Sequence, residues 1–184
     1  MSKITNKQIK KPIMQTNYTM SDDMALGLFD TDGSFYIGLA WQPTTKSRRL
    51  RCDPEWTISG DNEDFCQVFA RIFDGTIKPV DDKGQLKFVL GGIGKCLKII
   101  PFFENAPWMP HYKEEQFNRW KQALLLLEAQ EHFTEEGIHK LLDLTYGYAE
   151  KGGRKYPKEQ YLAWALAWLN DPSRQKRKPR GQTT

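Results

Sequence analysis

Two aspartates one residue apart, Asp30 and Asp32, end a short apolar segment and are the residues best placed to do chemistry. The segment 25–35 reads Ala-Leu-Gly-Leu-Phe-Asp-Thr-Asp-Gly-Ser-Phe. The partial negative charge at a helix C-terminus disfavours carboxylates, so a positive group, most simply a divalent cation, is expected beside them. Gly33 is predicted to take the left-handed turn that ends a helix. Gly27 has no side chain and would let a second helix approach closely.

The elements that must position these acids follow from the apolar periodicity. A helix is predicted up to Asp32, with Ser21 or Asp22 as its cap. Alternation of apolar and polar residues predicts strands over 34–42 and 49–59, a helix follows Asp61, and shorter strands follow at about 76–80 and 85–90. The remaining chain predicts helices over about 94–105, 113–131, 134–149 and 158–169.

The predicted strands have one apolar face and one polar face. Helices must cover the apolar face, which leaves the polar face open. Long basic and amide side chains on such a face suit the DNA major groove, where arginine reads guanine, glutamine reads adenine and glutamate can accept from cytosine. The candidate DNA contacts are Tyr36, Gln42, Lys46, Arg48, Arg49, Arg51, Glu55, Thr57, Lys78, Gln85 and Lys87.

The motif over 25–35 resembles the LAGLIDADG homing endonuclease signature. The first two letters are exchanged, as Ala25 and Leu26, and Phe29 and Thr31 are conservative departures. The stretches 53–56, 98–103 and 117–127 are similar to chloroplast ribosomal-RNA-intron members of that family. The resemblance implies an α+β fold in αββαββα order, with a four-stranded antiparallel DNA-binding saddle and helices packed on one face.

The resemblance also implies a function and an assembly. It implies a site-specific endonuclease that binds a long pseudo-palindromic duplex and hydrolyses a phosphodiester in each strand, as in intron homing. One copy of the motif implies a homodimer, because cutting both strands needs two reactive centres. The motif helices would then pack on the two-fold axis, with Leu26, Gly27 and Asp30 in the interface.

Three catalytic positions are carried over from the family. Asp32 is expected to bind Mg²⁺ or Mn²⁺, while Asp30 is expected to be structural. Lys113 is the preferred candidate for the family's basic residue, ahead of Lys95 and Lys98. The family's water-positioning glutamine falls on Gly60, and the chain has no obvious substitute unless Asp61 or Asn62 reaches in. This departure leaves two alternative functions open. They are an RNA-binding group I intron maturase and a DNA-binding protein that has lost cleavage.

Charge and composition bound the remaining possibilities. Residues 1–20 carry four lysines and residues 172–184 carry five basic residues, with no acid in either stretch. We expect a flexible basic arm over 1–20, one domain over 21–170 and a basic tail over 171–184; the ends could bind phosphates or simply aid solubility.

Cysteine and histidine usage favours an intracellular protein. The three cysteines and three histidines lack metal-ligand spacing, which argues against zinc and favours reduced thiols. No apolar run reaches the ~18 residues of a membrane span. If the gene is encoded in an organelle, as the resemblance suggests, we expect the protein to act in the chloroplast or the mitochondrion.

Overall fold

The computed structural model describes residues 20–43, 48–60, 63–80, 84–107, 110–147 and 154–172. The elements alternate as the sequence predicts and end in a helical half. In chain order they are α1 (Asp22–Asp32), β1 (Gly33–Pro43), β2 (Arg48–Gly60), α2 (Glu63–Phe73), β3 (Thr76–Pro79), β4 (Leu86–Gly91), α3 (Ile93–Lys98), α4 (Ile100–Glu104), α5 (His111–Glu128), α6 (Glu135–Tyr146) and α7 (Lys158–Leu169), with a short 3₁₀ helix at Glu131–Phe133.

The four strands form one antiparallel sheet in the order β1-β2-β4-β3. β1 and β2 pair from Gly33↔Ile58 to Pro43↔Arg48, whereas the β2–β4 ladder stops at Glu55↔Gly91. Pro54 lacks the N–H that would continue the ladder towards β4. The far half of the β1–β2 hairpin therefore extends beyond the four-stranded sheet as a two-stranded ribbon.

An aromatic cluster fills the space between the sheet and the helices. Trp56 on β2 is fully buried at its centre, and α1 reaches it through Phe29, with ring centroids 5.5 Å apart. Phe103 of α4 packs against both rings. Each fully buried aromatic side chain contributes about 1.5–3 kcal/mol through burial, so this cluster is a main reason that α1 is fixed to the sheet.

Three side chains of the helical half cover the outer edge of β1. Lys113 donates to the carbonyl oxygen of Gly33, and Arg154 donates to that of Ile37 at 2.8 Å. The hydroxyl of Tyr161 donates to the carbonyl oxygen of Leu39 at 2.9 Å. An open strand edge is a template for pairing with another chain, and these bonds occupy its acceptors. They also join α5 and α7 to the strand that follows Asp32.

The predicted elements are confirmed in type and order, with corrections at particular positions. The helix predicted over 94–105 is two short helices that meet at Ile99, and Pro101 in the first turn of α4 fits a new helix start. Ser21 caps α1 by accepting from the N–H of Met24 at 3.2 Å. The cap predicted at Asp61 and nearly all of the predicted arm and tail lie outside the described residues. Among the described helices, none is long and apolar enough to cross a membrane.

Candidate active site and DNA-binding face

Asp32 is the last residue of α1 and is exposed at the end of the sheet. Ala25 and Phe29 bury one side of the helix, so its axis is fixed and its final carboxylate is held in place. The Thr31 hydroxyl donates to the Asp32 carboxylate at 3.2 Å and to the Leu28 carbonyl oxygen at 2.9 Å. These contacts leave Asp32 accessible to a ligand from solvent.

The predicted left-handed conformation of Gly33 is wrong. Its φ of −82° and ψ of 154° are extended, so it begins β1 directly instead of turning left-handed. Glycine is required at position 33 because there is no space for a side chain: a Cβ there would lie 1.9 Å from Cδ2 of Phe29. The helix thus passes into the strand with the Phe29 ring packed over the junction, which sets where Asp32 lies relative to the sheet.

Lys113 lies beside the acidic end of α1. Its side chain is buried, and its Nζ is 5.1 Å from the centre of the Phe29 ring. Burial lowers the pKa of the Lys113 ammonium, while the charges of Asp30 and Asp32 act in the opposite direction and favour its protonation. The structure therefore brings this predicted residue next to the motif.

The two other basic candidates lie elsewhere. Lys95 donates to the backbone of Asp74 at 2.7 Å and forms an ion pair with its carboxylate at 3.0 Å. Lys98 is exposed in the last turn of α3. Both contacts of Lys95 are therefore made to Asp74 and not to α1.

Gly60 ends β2 at the same end of the sheet as Asp32. Gly60 pairs with Leu86 of β4. It lies two residues after Ile58, which pairs with Gly33 next to Asp32. A Cβ at position 60 would lie 2.7 Å from Cδ1 of Phe65, so this ring occupies the space that a side chain would enter. Gly60 itself has no side chain with which to hold water.

The predicted dimer residues lie along the part of α1 that the sheet does not cover. Gly27 is exposed, and a Cβ built there meets no atom within 4 Å. Leu26 and Asp30 are half-buried. Met24, three residues before Gly27, exposes 53% of its surface. The helix therefore offers an accessible strip with a glycine at its middle, and its role in a dimer stays a prediction.

The open face of the sheet carries the polar residues that alternation predicts. Tyr36 is exposed and lies opposite Glu55 in the β1–β2 register. Glu55 forms an ion pair with Lys78 at 3.8 Å. Lys78 lies directly opposite Lys87 on β4, and two like charges in register repel unless an anion compensates them. Thr57 and Gln85 are half-buried on the same face.

Four predicted contacts are described only in part or not at all. Gln42 pairs with Arg49 in the β1–β2 ladder, and Arg48 pairs with Pro43. The side chains of these residues and the whole of Lys46 lie outside the described part of the chain.

Two residues of this face were missed by the sequence patterns. Arg154 donates to the carbonyl oxygens of Ile37 and Thr145, and its guanidinium lies 5.1 Å from the centre of the Tyr36 ring. Arg154 lies in the connection between α6 and α7, where the sequence has no periodic pattern from which a contact with β1 could be predicted. Asp53 accepts from Nε of Arg51 at 2.6 Å. Its position in the alternation of β2 could have revealed it, because it has the same parity as Arg51 and Glu55.

The donor set fits a hard divalent cation that is shared with other ligands. Within the described residues, no group of three or more acidic, histidine or cysteine side chains could hold a metal ion alone. Asp32 provides an exposed carboxylate, and Mg²⁺ is commonly bound by one or two carboxylates together with phosphate oxygens and water. One chain therefore supplies part of a site that substrate and a second carboxylate could complete.

The model of the LAGLIDADG endonuclease family matches residues 25–124, more than half of the chain. The chain belongs to this family. The match spans the motif, the whole sheet and the first part of α5 up to Leu124, including Lys113. A search of curated proteins found no match.

Solved structures with the same fold include LAGLIDADG homing endonucleases. The archaeal intron-encoded homing endonuclease I-Vdi141I, complexed with DNA, is 24% identical with a TM-score of 0.70, and the match covers 80% of this chain and 95% of that chain. The homing endonuclease I-TnaI is 22% identical with a TM-score of 0.65, covering 83% and 99%. The meganuclease I-SmaMI, bound to uncleaveable DNA, is 20% identical with a TM-score of 0.64, covering 75% of this chain and 47% of that chain.

Proposed function

We propose that this LAGLIDADG protein is a site-specific double-strand DNA endonuclease that acts as a homodimer with Mg²⁺ or Mn²⁺. The observation that carries the proposal is the position of Asp32 and Lys113 at the end of a sheet whose open face is lined with polar and basic side chains. A groove-reading face and a phosphate-cleaving centre at its end are the two parts that a sequence-specific nuclease needs.

The open face supports binding to DNA. Arg51, Lys78 and Lys87 supply positive charge. Glu55 offsets part of the repulsion between Lys78 and Lys87, and phosphate or the acceptor edges of bases would offset more of it. Tyr36 adds an exposed aromatic ring. The DNA that I-Vdi141I and I-SmaMI hold supports the same class of partner for this chain.

The accessible strip on α1 supports a dimer. This chain matches nearly all of the I-TnaI chain but about half of the I-SmaMI chain, so two copies would bring to DNA about as much protein as one I-SmaMI chain. Because Gly27 has open space around it, two α1 helices could approach closely there. The two Asp32 carboxylates would then lie near each other, where divalent cations would offset their repulsion.

The chain's own groups define the chemistry at this end of the sheet. A bound Mg²⁺ or Mn²⁺ would polarise the scissile phosphate and lower the pKa of the attacking water. Asp32 would hold the ion. The charge of Lys113 is buried beside the end of α1 that carries the two aspartates, and it would favour the negative charge that develops on the phosphate during hydrolysis. The Lys113–Gly33 hydrogen bond holds that charge in place before DNA arrives.

The biological role that fits this activity is intron homing. A homing enzyme cuts an allele that lacks the intron, so its target is the joined flanking sequence. We propose that the gene lies within a group I intron, in a chloroplast or mitochondrial genome, and that the protein acts on DNA in that compartment.

The test is cleavage of duplex DNA that spans the intronless junction of the host gene, with Mg²⁺ and with EDTA. The wild-type protein should cut both strands at one site with Mg²⁺ and should not cut with EDTA. Asp32→Asn should abolish cleavage and retain binding, because it removes the charge of the ligand but keeps the shape. Asp23→Asn is the matched control, since Asp23 is an exposed acid in the first turn of the same helix.

Three results would overturn the proposal. The first is cleavage by Asp32→Asn at the wild-type rate, which would remove Asp32 from the chemistry. The second is a wild-type protein that binds its intron RNA but neither binds nor cuts the duplex, which would support the maturase function. The third is a protein that binds the duplex and never cuts it with Mg²⁺ or Mn²⁺, which would support a DNA-binding role alone.

A further inference from the structure

Arg51 and Asp53 form an ion pair on the open face of the β1–β2 ribbon. Nε of Arg51 donates to Oδ2 of Asp53 at 2.6 Å, and the two side chains are 49% and 42% exposed. They are two residues apart on β2 and therefore point to the same side. Among the hydrogen bonds of the described residues, Nε is the one donor of Arg51 that is engaged.

Stability does not account for this pair. Exposed ion pairs contribute about 0–1 kcal/mol, and aspartate is depleted in strands. Gly38 lies opposite Asp53 in the register, so the residue directly across on β1 offers no side chain to the carboxylate. A carboxylate on a face that meets phosphates also repels them. Asp53 therefore costs binding energy unless it changes what Arg51 does.

The planar geometry of the guanidinium group explains how the Asp53 carboxylate could affect Arg51. Guanidinium carries five N–H donors in a fixed plane, and a partner on Nε sets the orientation of that plane. The two terminal nitrogens remain to donate together to the O6 and N7 atoms of guanine, which is a frequent specific contact in the major groove. We propose that Asp53 is a positioning residue that aims Arg51 at a guanine, an inference that rests on the proposed binding to duplex DNA.

The register also gives the position of that guanine. Arg51 lies opposite Ala40, seven residues along β1 from the Gly33↔Ile58 pair that adjoins Asp32. Seven residues of strand span about 23 Å, which corresponds to about seven base pairs at 3.4 Å each. Because a strand crosses the groove obliquely, we expect the guanine about five to eight base pairs from the centre of the site, once in each half.

The experiment is selection of bound duplexes from a randomised DNA library, followed by titration of selected sites. The proteins are the wild type, Arg51→Ala, Asp53→Ala, Asp53→Asn and the double variant Arg51→Ala/Asp53→Ala. Glu115→Ala is the matched control, since Glu115 also accepts from Nε of an arginine, Arg119, but lies on α5 and not on the open face. Circular dichroism and thermal melting check that every variant folds.

The wild type should prefer guanine at the stated position by about 5- to 150-fold, the range that a bidentate contact supplies. Asp53→Ala should reduce that preference to about twofold at the same base pair as Arg51→Ala, and the double variant should lose no more than Arg51→Ala. Asp53→Asn keeps an oxygen acceptor for Nε and should retain most of the preference. Glu115→Ala should leave the preference at this base pair unchanged.

The outcomes separate this inference from the proposed function. If the wild type selects no sequence, specific DNA binding fails. If it selects a site but Asp53→Ala keeps the same guanine preference, the positioning role of Asp53 is wrong. If Asp53→Ala and Asp53→Asn both tighten binding to all sequences alike, the carboxylate is only a repulsive charge, and the inference is also overturned.

Discussion

The ammonium of Lys113 donates a hydrogen bond to the carbonyl oxygen of Gly33, the residue that directly follows Asp32. The two residues are 80 positions apart in sequence. Because Lys113 is 4% exposed, its charge is held in a largely dry environment beside the acidic end of α1. This bond links α5 to the junction of α1 and β1, so the helical half fixes the position of the acidic motif.

Lys113→Met should remove most cleavage and leave DNA binding nearly intact. Methionine fills a similar volume but supplies neither the charge nor the donor to Gly33. Loss of a preorganised charge at a reacting phosphate should lower the single-turnover rate by about 100-fold or more. The Gly33 carbonyl loses its donor, while burial of an ammonium is relieved, so the free energy of unfolding should fall by no more than about 1–3 kcal/mol.

Lys95→Met is the control for this experiment. Lys95 is an exposed lysine paired with Asp74, and its loss should change neither the rate nor the stability by a measurable amount. A Lys113→Met protein that folds and cuts at the wild-type rate would assign Lys113 a purely structural role at the edge of β1.

Gly33→Ala should destabilise the protein even though its backbone is extended. The new methyl group would lie 1.9 Å from a carbon of the Phe29 ring, so the ring must leave its place in the core. Overpacking of this kind costs about 1–3 kcal/mol or more, measured by urea unfolding. Gly91→Ala should be nearly neutral, because the nearest atom there is 3.8 Å away. Gly33→Ala should cost less in a Phe29→Leu background than in the wild type, and an equal cost in both backgrounds would contradict a clash with that ring.

Features that depend on neighbouring residues in the sequence could be predicted, whereas contacts between residues distant in the sequence could not. The alternation of Phe35 and Ile37 with Tyr36 is local, so the faces of β1 were predicted correctly. Family resemblance pointed to Lys113 as the basic residue of the site. Its contact with Gly33 joins distant segments and was not predicted, because periodicity holds no information on it. Arg154 was missed for the same reason. The role of Gly33 was misjudged because space around a glycine depends on the packed Phe29 ring.

Gly27→Leu should disrupt a dimer without harming the fold of one chain. A Cβ at Gly27 meets no atom of its own chain, and leucine has about 1 kcal/mol better helix propensity than glycine. Two closely packed α1 helices would nevertheless be forced apart. Sedimentation should show a dimer for the wild type and a monomer for the variant, which should no longer cut both strands.

Gly94→Leu is the matched control for that measurement. Gly94 is also an exposed helical glycine with open space around it, but it lies on α3. The control should remain dimeric. An unaltered dimer in Gly27→Leu would place the interface elsewhere, and a monomeric wild type would remove the basis for two Asp32 carboxylates meeting on an axis.

The Cys96 thiol should be inert in the folded protein. Burial raises its pKa from an ordinary 9.0 to about 12, and the charge of Glu55 adds to the effect. Because the unfolded thiol ionises first, its contribution to stability is complete below pH 9 and is lost as the pH rises towards 12. Iodoacetamide at pH 8 should label Cys96 only after unfolding in guanidinium. Unfolding free energy should decline less steeply between pH 9 and 11 in Cys96→Ala, and an identical slope would argue against this thiol as the cause.

A glutamine at position 60 should help cleavage only when Phe65 gives way. Gly60 ends β2 at the Asp32 end of the sheet, where the family's glutamine positions water, but a Cβ there would lie 2.7 Å from the Phe65 ring. Gly60→Gln alone should therefore destabilise the protein and leave the single-turnover rate with Mg²⁺ near that of the wild type. Phe65→Ala alone is the control for the stability lost with the ring.

The double variant Gly60→Gln/Phe65→Ala decides the point. An amide with room to enter could hold a water by two hydrogen bonds, and positioned proton-transfer groups contribute about 10²–10⁴-fold in general. We expect a smaller gain, about 10-fold over Phe65→Ala, because the introduced amide has several rotatable bonds and must lose conformational entropy to hold the water. A rate equal to that of Phe65→Ala would mean that the Asp32 and Lys113 pair needs no glutamine, and that Gly60 does not limit this enzyme.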